Sequence, residues 1–157
     1  MEKNKNPKKE ELQRVANQLS FALYGATSRM IRSHRPFLEP LGLTFPQFLV
    51  MVALYESAPR TVGEIGNEVG MDNGTLTPLL KRLVGAGLVT RIRDAQDERR
   101  VIINLTAAGE AMREEILSIP DKIESACKLS NKDLADLRDT LNGLAQPPRS
   151  EQDNENN

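Results

Sequence analysis

The stretch RTVGEIGNEVGMDNGTLTPLLKRLVGAGLVTRIRDAQDERRVIINL, residues 60–105, contains the local signals that decide the fold. Thr61 and Glu64 have the spacing of a capping box, in which each side chain satisfies a backbone amide of the first helical turn, so a helix is predicted to begin at Thr61. Apolar residues then recur at helical spacing as far as Val69, and Gly70 is suited to a left-handed cap. The first element is therefore predicted to be a short amphipathic helix.

A second helix is predicted directly after this one. Asp72 or Asn73 can cap its first turn. Its buried face is predicted from apolar residues at helical spacing: Leu76, Leu79, Leu80, Leu83 and Val84. The glycines at 85 and 87 are expected to end it.

The outward face of the second helix is small, polar or basic, and consists of Asn73, Thr75, Thr77, Pro78, Lys81 and Arg82. Small polar side chains near a helix N-terminus can reach base edges in DNA, and basic side chains one turn later can contact phosphates. An ordinary solvated helix face has the same composition, so this face alone leaves both interpretations open. Pro78 removes an amide donor inside the helix, which fits either a 3₁₀ entry turn or a rigid apolar contact to DNA.

A β-hairpin is predicted after the second helix. Leu88–Arg93 and Arg99–Leu105 have the composition of strands, and turn-forming residues occupy 94–98 between them. A hairpin in this place is the wing of a winged helix-turn-helix. Asp97 and Arg99 are two residues apart and would share a face of extended backbone, so the carboxylate could hold the guanidinium outward for a narrow minor groove. An ordinary surface ion pair is the alternative.

The segment DNGTLTPLLKRLVGAGLVTRIRDAQDERRVIINLT, residues 72–106, resembles the helix and wing of the MarR family of dimeric bacterial transcriptional regulators. NQLSFALYGATSRM at 17–30, LTFPQFLVMVALYE at 43–56 and GTLTPLLKRL at 74–83 resemble its OhrR branch, which represses genes for defence against organic hydroperoxides, an oxidative stress response. The resemblance covers roughly residues 15–144, and its motifs occur in the family's order.

This resemblance implies an α+β fold that is mainly α-helical, with a winged helix at about 46–105. Dimerisation helices would occupy about 9–35 and 106–145, so that residues 1–145 form a single domain, and the polar tail 146–157 is expected to be disordered. The implied partners are a second copy of the chain and a pseudopalindromic operator in double-stranded DNA. The implied DNA contacts are Asn73, Gly74, Thr75, Thr77, Pro78, Lys81 and Arg82 in the major groove, and Asp97 and Arg99 in the minor groove.

The residues outside the winged helix support helical flanks. Leucine, valine and methionine recur at helical spacing between about Lys9 and Arg35, and Pro36 and Pro40 are expected to break the chain before a buried helix at 46–57. Thr106 can cap a helix toward Ser118, and leucines from 134 to 144 continue the helical period after Ser130.

The sensing site departs from the OhrR pattern. Relatives carry a reactive cysteine in a motif like NQLCFALY, and this chain has Ser20 at that position. Tyr24 is kept, whereas His34 and Phe45 stand where the family has tyrosines, so these four residues would form an altered effector pocket. A serine cannot supply the low-pKa thiolate that hydroperoxide sensing needs. A deliberate cysteine-to-serine change, which mimics the reduced form, would alter one position, whereas natural divergence alters several and is favoured by His34 and Phe45.

Composition and motif content limit the classes of protein to which the chain can belong. The longest apolar run, Phe48–Tyr55, is far shorter than the roughly 20 residues of a membrane span, and the charged N-terminus lacks a signal peptide. With one cysteine, these features predict a cytoplasmic protein without disulfides. One histidine, no metal-ligand cluster and no glycine-rich phosphate loop argue against an enzyme, a metal or a cofactor. A regulator that responds to a small molecule and a winged helix that binds only proteins stay as alternatives.

Overall fold

The computed structural model of the chain describes residues 14–127 and 129–145. Its helices are α1 (Leu19–Leu38), α2 (Phe45–Glu56), α3 (Val62–Val69), α4 (Asn73–Gly85), α5 (Ala107–Ala111), α6 (Arg113–Leu117), α7 (Ile119–Ala126) and α8 (Asn131–Ala145). Strands β1 (Arg60–Thr61), β2 (Val89–Arg93) and β3 (Val101–Leu105) form an antiparallel sheet in the order β1-β3-β2. The chain divides into two units, one that ends at Ile123 and one that begins at Glu124.

Helix α2 is the centre of the first unit. Thr44 caps it, with its backbone N–H donating to Gln47 Oε1 at 2.9 Å. Met51 and Leu54 are fully buried, as expected for the continuous apolar run of this segment. The core around them comes from every neighbouring element and includes Ile65, Leu76, Leu80, Ile103 and Ile116.

Helix α3 begins and ends as its sequence predicts. Glu64 N–H donates to Thr61 Oγ1 at 3.2 Å, and Thr61 N–H donates to Glu64 Oε2 at 2.7 Å. The amide and hydroxyl of Thr61 hold the pKa of Glu64 below its ordinary value. Gly70 has a left-handed φ of 66°, where a side chain would be strained. The tight turn to α4 also needs Gly66, because a Cβ there would lie 2.7 Å from the carbonyl oxygen of Met71.

Helix α1 differs from its predicted bounds at both ends. It begins at Leu19, after a 3₁₀ turn at Val15–Asn17, and residues 9–13 of the predicted helix lie outside the described residues. It also continues through Pro36 to Leu38, so the predicted break at Pro36 was wrong, whereas Pro40 lies in the 3₁₀ turn Glu39–Leu41 that follows the helix. An interior proline costs about 3 kcal/mol. Full burial of Leu38, worth about 1.5 to 3 kcal/mol, and partial burial of Phe37 offset that cost.

The C-terminal flank is segmented in its first part. Thr106 caps α5, with Gly109 N–H donating to its hydroxyl at 3.0 Å. The expected single helix toward Ser118 is interrupted at Met112, where α5 gives way to α6. Helix α8 carries the predicted leucine period, and the tail 146–157 lies outside the described residues. Among the described helices no single one could span a membrane, and only the bent pair Leu19–Leu41 and Phe45–Glu56 has the required length and composition.

Candidate nucleic-acid interface

The start of α4 is fixed by Asp72. Its carboxylate accepts the Thr75 N–H at 2.8 Å and the Thr75 hydroxyl at 3.1 Å. These two bonds, the amide first, lower the pKa of Asp72. Of the two predicted caps, Asp72 is therefore the one that the structure uses.

The exposed face of α4 is centred on a narrow ridge. Successive helical residues turn by about 100°, so Gly74, Pro78 and Lys81 lie opposite the buried leucines, with Thr77 and Arg82 on either side. Asn73 and Thr75 lie nearer the edges of this face. All seven are exposed except Thr77, which is half-buried.

Two details of α4 decide or correct predictions made from its sequence. The helix is α-helical through Pro78, which excludes the 3₁₀ entry turn. Val84 was predicted to face inward and is instead 39% exposed, while the four leucines of the face are buried. The reason is geometric, because at about 100° per residue Val84 lies roughly 90° from the centre of the leucine stripe.

The wing is a regular hairpin from Val89↔Leu105 to Arg93↔Val101. Its loop spans residues 94–100 and is closed by Asp94 N–H donating to the Arg100 carbonyl at 2.9 Å. Arg99 was predicted to begin the second strand, and it lies in this loop instead. Both aspartates of the loop accept a backbone amide two residues on, which shapes the tip.

The predicted fork between Asp97 and Arg99 was wrong in its geometry. The two residues sit in a turn, where Asp97 Oδ1 accepts the backbone N–H of Arg99 at 3.0 Å. No ion pair between the described side chains joins them. Asp97 therefore fixes the main chain of Arg99, while the guanidinium stays exposed at the tip.

The surface around this face is locally basic, although the net charge of the chain is −1. Exposed basic residues on α4 and the wing are Lys81, Arg82, Arg91, Arg93, Arg99 and Arg100. Arg100 reaches Asp94 at 3.9 Å, a distance that leaves it partly available for another anion. A local excess of positive charge is what a phosphate backbone attracts.

The predicted effector residues form two separate pairs within one chain. His34 is buried, bonds to the Met30 carbonyl through Nδ1 at 2.8 Å and packs edge-on against Phe45 at 4.8 Å between ring centroids. Ser20 and Tyr24 lie exposed near the start of α1. Ser20 and His34 are separated by about 21 Å along the helix axis at 1.5 Å per residue.

A cavity of about 640 Å³ lies elsewhere in the first unit. It is lined by residues of α2, of the end of β3 and of the following helices, among them Tyr55, Asn104, Glu110 and Arg113. None of the four predicted effector residues lines it.

The contacts at the base of the wing were not predicted from the sequence. The Thr106 hydroxyl donates to the Gly87 carbonyl at 2.6 Å, which joins the residue that caps α5 to the connection between α4 and β2. Strand β1, whose Arg60 pairs with Ile103, was not predicted either, because two residues carry no detectable period. The threonine and glycine spaced three apart at 106 and 109 were the available signal for the first of these.

Comparison with known proteins extends over most of the chain. The model of the MarR family matches residues 43–101. The chain is 39% identical to the organic hydroperoxide resistance transcriptional regulator of Bacillus subtilis (strain 168), over 85% of this chain and 90% of that protein. It is 38% identical to the HTH-type transcriptional regulator MgrA of Staphylococcus aureus, over 81% and 87% respectively. The solved structure of reduced AbfR bound to DNA superposes with a TM-score of 0.71 at 34% identity, over 90% of this chain and all of that one.

Proposed function

The chain belongs to the MarR family of DNA-binding transcriptional regulators, and we propose that it is a dimeric repressor that binds a pseudopalindromic operator through α4 and the wing. The observation that carries this proposal is the exposed ridge of Gly74, Pro78 and Lys81 beside a hairpin with an exposed Arg99 at its tip. Because Gly74 has no side chain and its neighbours have short ones, α4 can approach base edges closely, while the basic residues contact phosphates. A regulator of this kind works on cytoplasmic DNA, and we place the protein there.

The homodimer is supported by apolar side chains that one chain leaves in water. On α1, Leu19 and Phe21 are 64% and 49% exposed, and α8 presents Leu137 and Leu144. Apolar faces of this kind mark surfaces that a partner covers. Two protomers related by a twofold axis would place their α4 helices in successive major grooves, about 34 Å apart.

The same dimer would explain the separated effector residues. Since Ser20 and His34 lie about 21 Å apart along α1, the four residues can share one pocket only when Ser20 and Tyr24 of one protomer meet His34 and Phe45 of another. We propose that this altered pocket does not respond to organic hydroperoxide through position 20, because a serine hydroxyl is neither ionised near neutrality nor oxidised to a sulfenic acid. A small-molecule effector at the same pocket is the second candidate, favoured by the aromatic pair His34 and Phe45.

The test is a binding titration on selected DNA. Duplexes enriched by the purified protein from a random library would be labelled, and fluorescence anisotropy would be measured against increasing salt. We expect enrichment of a pseudopalindrome and an affinity that falls steeply with salt. A winged helix that binds only proteins would enrich no sequence and would show no affinity for any duplex.

A further inference from the structure

One hydroxyl group joins three elements at the base of the wing. Thr106 N–H donates to the Leu88 carbonyl at 3.1 Å, which extends the hairpin by one pair below its first residues. The Thr106 hydroxyl donates to the Gly87 carbonyl at 2.6 Å and accepts from Gly109 N–H at 3.0 Å. The connection from α4, the end of β3 and the start of α5 therefore meet at a single oxygen atom.

Helix α5 packs directly against the base of the wing at Gly109. Gly109 is buried, and a Cβ at this residue would lie 2.1 Å from the Leu88 carbonyl oxygen, so α5 rests directly on the backbone of the wing. The Gly109 carbonyl in turn accepts the Tyr55 hydroxyl of α2 at 2.7 Å. A continuous series of hydrogen bonds thus runs from the central helix to Gly87.

Tyr55 is itself held in place from outside. The Arg113 guanidinium donates to the Tyr55 carbonyl at 2.7 Å and lies over its ring at 4.8 Å, while Glu110 accepts from the same guanidinium. Burial raises the pKa of Tyr55 to about 12, so its hydroxyl keeps its proton and its donor role at physiological pH.

We propose that Thr106 is a positioning residue for DNA binding, which sets the direction of the wing relative to the recognition face of α4. This role rests on the proposed contacts of α4 and Arg99 with DNA. Beyond the short pairing with β1 at Ile102 and Ile103, the wing is a two-stranded ribbon, and such ribbons are weakly determined by themselves. A five-residue strand is about 17 Å long. A tilt of about 10° at the base would then move the tip by roughly 3 Å, the length of a hydrogen bond.

Thr106 has two separable roles, and the test distinguishes them. Thr106→Asp keeps an oxygen that caps α5, since aspartate is among the best N-cap residues, but a carboxylate has no proton to donate to Gly87. Thr106→Val removes both bonds without adding charge, and Thr106→Ser keeps both. Thr44→Val is the matched control, because it removes a capping threonine of α2 that has no bond to the wing.

The readout is a double-mutant cycle with Arg99→Ala, measured as operator affinity by anisotropy, with thermal unfolding recorded for each variant. In the parent we expect Arg99→Ala to weaken binding by about tenfold. In the Thr106→Val and Thr106→Asp backgrounds the same change should cost less than about threefold, because a misdirected wing no longer uses Arg99. Thr106→Ser and Thr44→Val should retain the full loss.

Three outcomes overturn the proposal, and they are distinguishable. If Arg99→Ala reduced operator affinity equally in all backgrounds, Thr106 would be a helix cap only. If Arg99→Ala weakened binding as much in the Thr106→Asp background as in the parent, the bond to Gly87 would be dispensable. This outcome can be read even if Thr106→Val fails to fold. No loss from Arg99→Ala in the parent would reject the proposed wing contact itself, and the positioning role with it.

Discussion

The winged helix and helix α1 are specified in different ways. From β1 to β3 the two helices have their own caps, and most apolar residues of the segment are buried within the same chain, with Val84 and Ile92 as exceptions. Helix α1 buries only His34 and Leu38, both in its last two turns, and Tyr24 remains 72% exposed. The candidate DNA-contacting part is thus complete in one chain, whereas the proposed effector pocket would need a second one.

The largest expected effect is a loss of stability when the core of the winged helix is changed. Leu80 is 1% exposed, so Leu80→Ala should lower the free energy of unfolding by about 2 to 5 kcal/mol. Leu19→Ala is the control on α1. Chemical denaturation at several protein concentrations should show a loss that depends on concentration only for Leu19→Ala, because that side chain would be buried by a partner. If only Leu80→Ala showed a loss of stability that depends on protein concentration, the dimer contacts would lie on the winged helix and not on α1.

The next effect concerns the wing tip. Arg99→Ala should weaken operator binding by about 1 to 3 kcal/mol, because its guanidinium is exposed at the wing tip, where we propose that it enters the minor groove. Arg35→Ala removes another exposed arginine, which pairs with Glu39 just after the end of α1, and should leave affinity unchanged. A mobility assay in which Arg99→Ala binds like the parent would remove the wing from the interface.

Lys81 should make a smaller and less specific contribution. Lys81→Ala should reduce affinity for all duplexes alike and lower the slope of log affinity against log salt by about 1, as expected for one lost phosphate contact. Titrations at four salt concentrations measure this slope. A change confined to one sequence would instead assign Lys81 to a base edge.

The parts of the fold that local chemistry determines were predictable from the sequence. Thr61, Gly70 and Gly87 mark ends of elements because capping and left-handed backbone depend on the residues within one turn. The four buried leucines of α4 followed from the helical period, and the two strands of the wing from their composition, although the loop between the strands is two residues longer than predicted. The resemblance was carried by the same segments, and the comparisons confirmed it.

Features that depend on distant contacts, or on competition between local conformations, were not predictable in this way. Helix α1 passes Pro36 because Leu38 is buried against other elements, and no local signal reports that burial. Arg99 lies in a turn because Asp97 accepts its amide, which competes with extended backbone. Residues of the candidate DNA-contacting face stay predictions, as do those of the effector pocket.

A small effect of pH should follow from the cap of α4. The pKa of Asp72 is lowered in the folded chain by the Thr75 amide and hydroxyl, so its contribution to stability is complete above the ordinary value of 3.8 and is lost as pH falls through the folded pKa. Asp72→Asn also caps but does not titrate in this range. The difference in melting temperature between the two chains should therefore change only below about pH 4. A difference that changes between pH 5 and 7 would contradict the assignment.

The central claim is that the chain binds operator DNA but does not respond to organic hydroperoxide through position 20. The most direct test is one anisotropy titration, made before and after addition of an organic hydroperoxide. We expect salt-dependent operator binding that the peroxide leaves unchanged, both in the parent and in Cys127→Ser, which removes the only cysteine of the sequence. Salt-independent binding would contradict the DNA interface. Release by peroxide that persists in Cys127→Ser would contradict the role assigned to Ser20.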